Sequence, residues 1–166
     1  MVLQNKSLIK LMFGALLLWN LLIVLAPILG QSSWRPLQYV SGAIYFFMDP
    51  VCHQLPQRSL FLQHLPFPVC ARCFSIYLAG LLVFLTAILQ RRVRSWTYRR
   101  YFILGILVVV GIVLEKFGLL PDVNEVRFVN GLLAGFFLFR LLLESLLQTG
   151  PEKSTNAPVQ NIIERN

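Results

Sequence analysis

Apolar residues in this chain come in long uncharged blocks separated by short polar stretches. The first block runs from Leu11 to Leu29, with Asn20 as its only strongly polar member. Nineteen helical residues at 1.5 Å each cover roughly 29 Å, about one hydrocarbon thickness. Lys6 and Lys10 precede it, so a secretory signal is the rival reading. Cleavage would then fall after Ile28 and Gly30, and isoleucine fits the small-residue rule badly, which favours an uncleaved helix. A second block follows Cys73 and ends at Leu89. The third follows Arg99 and Arg100, but its uncharged part, Tyr101 to Leu114, is too short to cross. The crossing must therefore continue through Glu115 toward Leu120, where Pro121 marks a turn. The fourth runs from near Glu125 to Leu147.

This pattern predicts an all-α polytopic membrane protein. Residues 1–147 form one four-helix transmembrane domain, with spans at about 11–29, 73–89, 101–120 and 126–147. Residues 31–70 form an outer loop that carries cysteine and histidine. Within that loop Tyr39 to Asp49 is too short to cross and predicts an interfacial helix or a short re-entrant piece. Residues 148–166, rich in Pro, Asn, Ser and charge, predict a disordered cytoplasmic tail.

Composition excludes a soluble fold. The hydrophobic set makes up 57% of the 166 residues and charged residues 13%, against roughly 45–50% and about 25% in soluble domains. Charge also orients the chain. Lys6, Lys10, the five arginines between 91 and 100, Lys153 and Arg165 put nine positive charges on one side. The positive-inside rule makes that side cytoplasmic, with both termini, and turns the 31–70 loop outward at the cell membrane. Membrane lipids are the expected partners, and anionic headgroups would hold the arginine loop. Ten residues between two spans make a poor nucleic-acid surface, so no nucleic-acid partner is expected.

All the thiol and imidazole chemistry lies in one window: Cys52, Cys70 and Cys73, with His53 and His64. Cys70-Ala71-Arg72-Cys73 is a C-x-x-C pair at a helix mouth, a spacing that turns both sulfurs to one point. Three thiolates and one histidine make a Cys3His zinc set. His64 has the freer geometry for the fourth ligand, because His53 directly adjoins Cys52. The same residues also admit a Cys70–Cys73 exchangeable disulfide with Cys52 as shuttling thiol, or a bridge that only braces the loop.

The string Cys52-His53-Gln54, Pro56, Arg58-Ser59, Pro68-Val69-Cys70-Ala71-Arg72-Cys73, Ile76-Tyr77 and Gly80 resembles the signature of a family of small bacterial and archaeal membrane proteins of unknown function. The likeness extends to Asn124, Arg127, Asn130-Gly131 and Gly135. It implies four spans and, because His53 lies within it, favours His53 over His64. The chain departs from the pattern at Leu60, at Phe74-Ser75 and at Glu115-Lys116, where the family has an aromatic, small residues and Asp-Gly.

Charges inside spans are expensive and so are candidates for function. Glu115 lies 15 residues past Arg100, about 22 Å up its helix, at the level where Arg72 and Arg127 begin theirs. These three predict a shared external cup beside the thiols, with Arg58, Tyr77 and Asn130 as further candidate site residues. The rival reading has both arginines snorkelling to lipid phosphates. Arg140 and Glu144, one turn apart near the cytoplasmic side, predict packing rather than chemistry. The function classes left open are a metal-dependent hydrolase or transferase on an anionic or lipid-linked substrate, a membrane thiol-disulfide oxidoreductase, and a non-catalytic metal-stabilised accessory subunit. Suspected zinc is the only cofactor implied.

Overall fold

A computed structural model describes residues 6–90, 96–119, 121 and 123–148. In chain order the elements are α1 (Lys6–Gly30), α2 (Arg35–Met48), β1 (Ser59–Leu62), β2 (Leu65–Cys70), α3 (Ala71–Leu89), α4 (Tyr98–Lys116) and α5 (Asn124–Gln148). The chain is a multi-pass, essentially all-α membrane protein, and α1, α3 and α5 are each long and apolar enough to cross a bilayer. Helix α4 falls outside that group, since Arg99 and Arg100 at one end and Glu115 and Lys116 at the other shorten its uncharged run. Of the tail expected over 148–166, Gln148 instead ends α5, and the remainder, like most of the arginine loop, lies outside the described residues.

Side-chain contacts give the helix directions. Gly131, Gly135 and Phe139 of α5 meet Arg72, Ile76 and Gly80 of α3 in the same order along both chains, so α3 and α5 run parallel. In contrast, Ile9 packs with Phe84 and Ala87 while Trp19 meets Tyr77, so α1 is antiparallel to α3. Gly111 lies under Asn130 and Gly105 under Phe137, so α4 is antiparallel to α5. The close α3–α5 approach depends on glycine. A Cβ on Gly135 would stand 2.6 Å from the Ile76 carbonyl oxygen, a contact that no side chain tolerates.

One end of the bundle is closed by an apolar cluster of Ile9, Val83, Phe84, Ala87, Leu143 and Leu147. The other end carries the segment between α1 and α3, and the structure differs there from the sequence reading. The helix expected over Tyr39 to Asp49 begins four residues earlier, at Arg35, because Pro36 suits a first helical turn. Residues 59–70, read as loop, form an antiparallel hairpin that pairs Ser59 with Cys70 and Leu62 with Leu65. Pro66 and Pro68 obscured the strand pattern, but a two-stranded ribbon tolerates proline because each strand is an edge. Its two-residue turn has Gln63 at φ 56°, the sign that primed hairpin turns require there.

The hairpin is anchored by burial and by hydrogen bonds. Phe67 and Val69 pack with Ile23 and Met48. Gln31 Nε2 donates to Pro27 O and to Leu62 O, each at 3.0 Å. Ser41 Oγ donates to the Ala26 carbonyl at 2.7 Å, which ties α2 to α1. The Tyr45 hydroxyl donates to the Pro66 carbonyl and ties α2 to β2. Strand β2 therefore delivers Cys70 to a fixed point, and α3 begins at the next residue.

Candidate functional site

Three chain segments bring the thiols together. Cys52 follows the last turn of α2, Cys70 ends β2 and caps α3, and Cys73 lies in the first turn of α3. Their sulfurs all lie within 4.8 Å of one another. Zinc with thiolates at about 2.3 Å in tetrahedral geometry holds its sulfurs about 3.8 Å apart. The three can therefore converge on one ion with small side-chain movements, and the cluster is capable of coordinating a metal. All three are free thiols, with Cys52 buried and the other two half-buried.

Backbone N–H groups already point at the sulfurs. Cys70 N–H donates to Cys52 Sγ at 3.2 Å, and Cys73 N–H donates to Cys70 Sγ at 3.5 Å in a helix N-cap. Hydrogen bonding from the Cys73 thiol, joined by the N–H groups at the helix mouth and by Cys52, outweighs partial burial and holds the Cys70 thiol down to about 5. The lowered Cys70 thiol favours the thiolate, the form that binds metal or attacks an electrophile.

The two histidines occupy different places. Neither belongs to the group of mutually close donors. His53 is exposed but lines a cavity of about 300 Å³ together with Cys52, Cys70 and Cys73. His64 sits exposed on the hairpin turn and does not line that cavity. Gln54, held in the left-handed region at φ 48°, turns the chain just after His53, and its side chain donates to the Tyr45 carbonyl at 2.5 Å.

Beside the thiols lies a second cavity of about 420 Å³, lined by Arg58, Cys70, Arg72, Ile112, Glu115, Lys116 and Arg127. Arg58 and Cys70 line both cavities. Glu115 is the hub of this cup. It pairs with Arg72, stands 3.6 Å from Arg127 Nε, and accepts from Asn130 Nδ2 at 3.1 Å. Arg127 is 6% exposed, so the carboxylate compensates a charge held away from water. Arg127 also donates to Asn124 Oδ1 at 3.4 Å, and Asn124 Nδ2 donates to the Ser59 carbonyl at 3.2 Å, linking α5 to the hairpin. Arg72 is seated by the α3–α5 contact, because Gly131 lies directly against its backbone.

The cup thus unites Arg72, Glu115, Arg127, Asn130 and Arg58. Tyr77 does not join it. Its ring stacks edge-on to Trp19 at 5.7 Å within the apolar cluster beneath the thiols, and it lines neither cavity. Lys116, which the sequence marks only as a departure from the family pattern beside Glu115, is part of the cup wall. Its position next to Glu115 was the available signal. The Arg140–Glu144 pair forms a separate structural group at the opposite end, where Glu144 Oε1 accepts the Trp96 backbone N–H at 2.8 Å.

Residues 52–141 match the sequence profile of a family described as a predicted membrane protein, DUF2085. The chain is also 34% identical over 132 residues to an uncharacterised protein of Methanocaldococcus jannaschii, covering 72% of this chain and 80% of that protein. No solved structure matches the chain. Every cup and thiol residue named above lies inside the matched segment.

Proposed function

The chain belongs to the DUF2085 family of predicted membrane proteins, and from that premise we propose that it carries a zinc site at the outer membrane surface, facing an anion-binding cup. Cys52, Cys70 and Cys73 are the thiolate ligands, and His53 is the fourth. His53 is preferred to His64 because it shares a cavity with all three sulfurs. Four fixed protein ligands would leave zinc no open position, so His53 is the exchangeable one, and where it yields, zinc would supply a polarised water or carbonyl. Arg58, Arg72 and Arg127 would hold an anionic substrate, and Asn130 would fix Glu115 between the arginines. The activity is that of a hydrolase or transferase on an anionic or lipid-linked substrate. The observation that carries this reading is that Cys70 and Arg58 belong to both cavities, so a metal on the thiols would stand beside whatever the cup binds. Tyr77 has a packing role in this scheme.

A fourth crossing by α4 is supported by the parallel pairing of α3 and α5, which obliges the chain to return along the whole bundle between them. Four crossings put both termini on one side. The nine basic residues make that side cytoplasmic, and α2 with the hairpin then faces outward. A second reading, thiol-disulfide exchange through Cys70 and Cys73, is favoured by the close approach of the two sulfurs at the mouth of α3. Metal analysis and a free-thiol count on protein purified in detergent without chelator separate the two. One zinc per chain and three reduced thiols, with zinc lost in each Cys→Ser variant, reduced in His53→Ala and kept in His64→Ala, is the expected result. No metal and two oxidised cysteines would overturn the zinc assignment and leave the redox one.

A further inference from the structure

Among the described residues the charges of the cup do not balance. The described part of its wall carries Arg58, Arg72, Lys116 and Arg127 against the carboxylate of Glu115. Arg58 and Lys116 have no carboxylate partner among the described residues, while Arg72 pairs with Glu115, which also stands 3.6 Å from Arg127. Arg72 also keeps a buried Nε–H with no acceptor among the described residues. A guanidinium presents paired N–H donors that match the oxygens of a phosphate, and a buried donor without an acceptor is costly. The wall therefore offers more positive charge and more donors than Glu115 can satisfy.

The cup also opens toward lipid. Helix α4 has no buried residue and packs chiefly on α5, without extensive contact to α3. The Arg72–Glu115 pair bridges that gap. Ile112 lines the cup and is 42% exposed, so the wall continues into the apolar outer surface of α4, where Val109 and Val113 are exposed as well. A volume of about 420 Å³ is the size of a polyatomic headgroup rather than of a lone small ion.

We propose that the cup receives the terminal phosphate, monoester or diphosphate, of a lipid that enters between α3 and α4 and takes Arg72 and Arg127 from Glu115. Glu115 acts as the resident counter-ion, keeping Arg127 compensated while the cup is empty and competing with the incoming anion. A terminal phosphate carries up to two charges and three oxygens. It offers the four cations more than the single charge of a phosphodiester, and its hydrocarbon tail can stay in the membrane along α4. The proposal deepens the reading above and rests on it for the cup being a ligand site. Binding itself is read without turnover and without dependence on zinc.

The test uses the full chain in phosphatidylcholine nanodiscs doped with either phosphatidic acid, a terminal monoester, or phosphatidylglycerol, a diester. Lipid retention is measured by native mass spectrometry, and zinc content is measured on the same samples. Phosphatidic acid should be retained about tenfold better than phosphatidylglycerol, the factor expected for one additional charge-assisted hydrogen bond. Arg72→Ala should lose about tenfold or more, and Arg72→Lys should recover only part, because a point charge lacks the fork. Arg58→Ala and Lys116→Ala, both at exposed positions, should each weaken retention several-fold without affecting folding. Glu115→Gln keeps an amide oxygen for Arg127 and should bind phosphatidic acid more tightly, the opposite of what loss of a purely structural residue produces.

Equal retention of the two lipids, or unchanged retention in both Arg72→Ala and Arg58→Ala, overturns the proposal. Inorganic phosphate and pyrophosphate serve as soluble competitors. Displacement of phosphatidic acid only at large excess supports a lipid ligand. Binding of free phosphate as tight as that of the lipid overturns the lipid assignment. Zinc retained in cup variants that have lost phosphatidic acid shows that the two sites are separable. Zinc absent from a wild type that still selects phosphatidic acid sinks the metal reading and leaves this one standing.

Discussion

Replacing Gly131 by alanine tests whether the α3–α5 contact is what holds the cup. The new Cβ would stand 2.0 Å from Ser75 Oγ, 2.5 Å from the Arg72 carbonyl oxygen and 3.0 Å from Arg72 Cα. Ser75 could rotate away, but its hydroxyl now donates to that same carbonyl at 2.8 Å, and a hydrogen bond of about 1 kcal/mol would be lost. The carbonyl is backbone and cannot rotate, so the helices must separate by most of an ångström. Overpacking of this kind costs about 1–3 kcal/mol, offset by up to about 1 kcal/mol of helix propensity gained over glycine. The net destabilisation is about 2 kcal/mol, which lowers Tm by roughly 4–8 °C for a chain of this length. Thermal unfolding in detergent followed by circular dichroism measures it. Gly14→Ala is the control, because nothing lies within 4 Å of its Cβ position. A Gly131→Ala protein that melts with wild type would show that α3 and α5 are not in this contact. Arg72 would then lose its argued seat in the cup.

Glu144→Ala should cost about 2 kcal/mol, the scale of a charge-assisted hydrogen bond, because Glu144 accepts both Arg140 and the Trp96 N–H. Chemical denaturation that shows no change would reduce the pair to surface decoration. A probe cysteine at Ser95, labelled with an impermeant maleimide in whole cells above the wild-type background, should react only after permeabilisation, whereas one at Gln57 should react directly; the reverse pattern refutes the orientation. Stripping metal from the purified protein with a chelator should lower Tm and expose thiols to a maleimide dye, since binding energy at such a site is partly folding energy. An unchanged melt and unchanged thiol reactivity would count against zinc as a structural tie.

The sequence determined by itself whatever depends on local composition. Uncharged runs mark α1, α3 and α5 as membrane helices, since a polar residue there is costly wherever the helix packs. The confinement of Cys52, Cys70 and Cys73 to one window made a thiol cluster legible, and the helix mouth after Cys70 is a C-x-x-C pair by spacing alone. Matching depths along three helices brought Glu115, Arg72 and Arg127 to one level, because helical rise is a constant. Only tertiary structure decided what depends on direction and neighbours. Whether equal depth becomes contact rests on the rotation of each helix, which here is set by Gly131 and Gly135 against α3 and by Asn130 over Gly111. That His53 and not His64 lines the cavity beside the thiols rests on a hairpin whose prolines hide it from any pattern. The shared wall of the two cavities arises because Arg58 and Cys70 lie at opposite ends of that hairpin in sequence and are brought together by the pairing of Ser59 with Cys70, a long-range register that no local signal encodes.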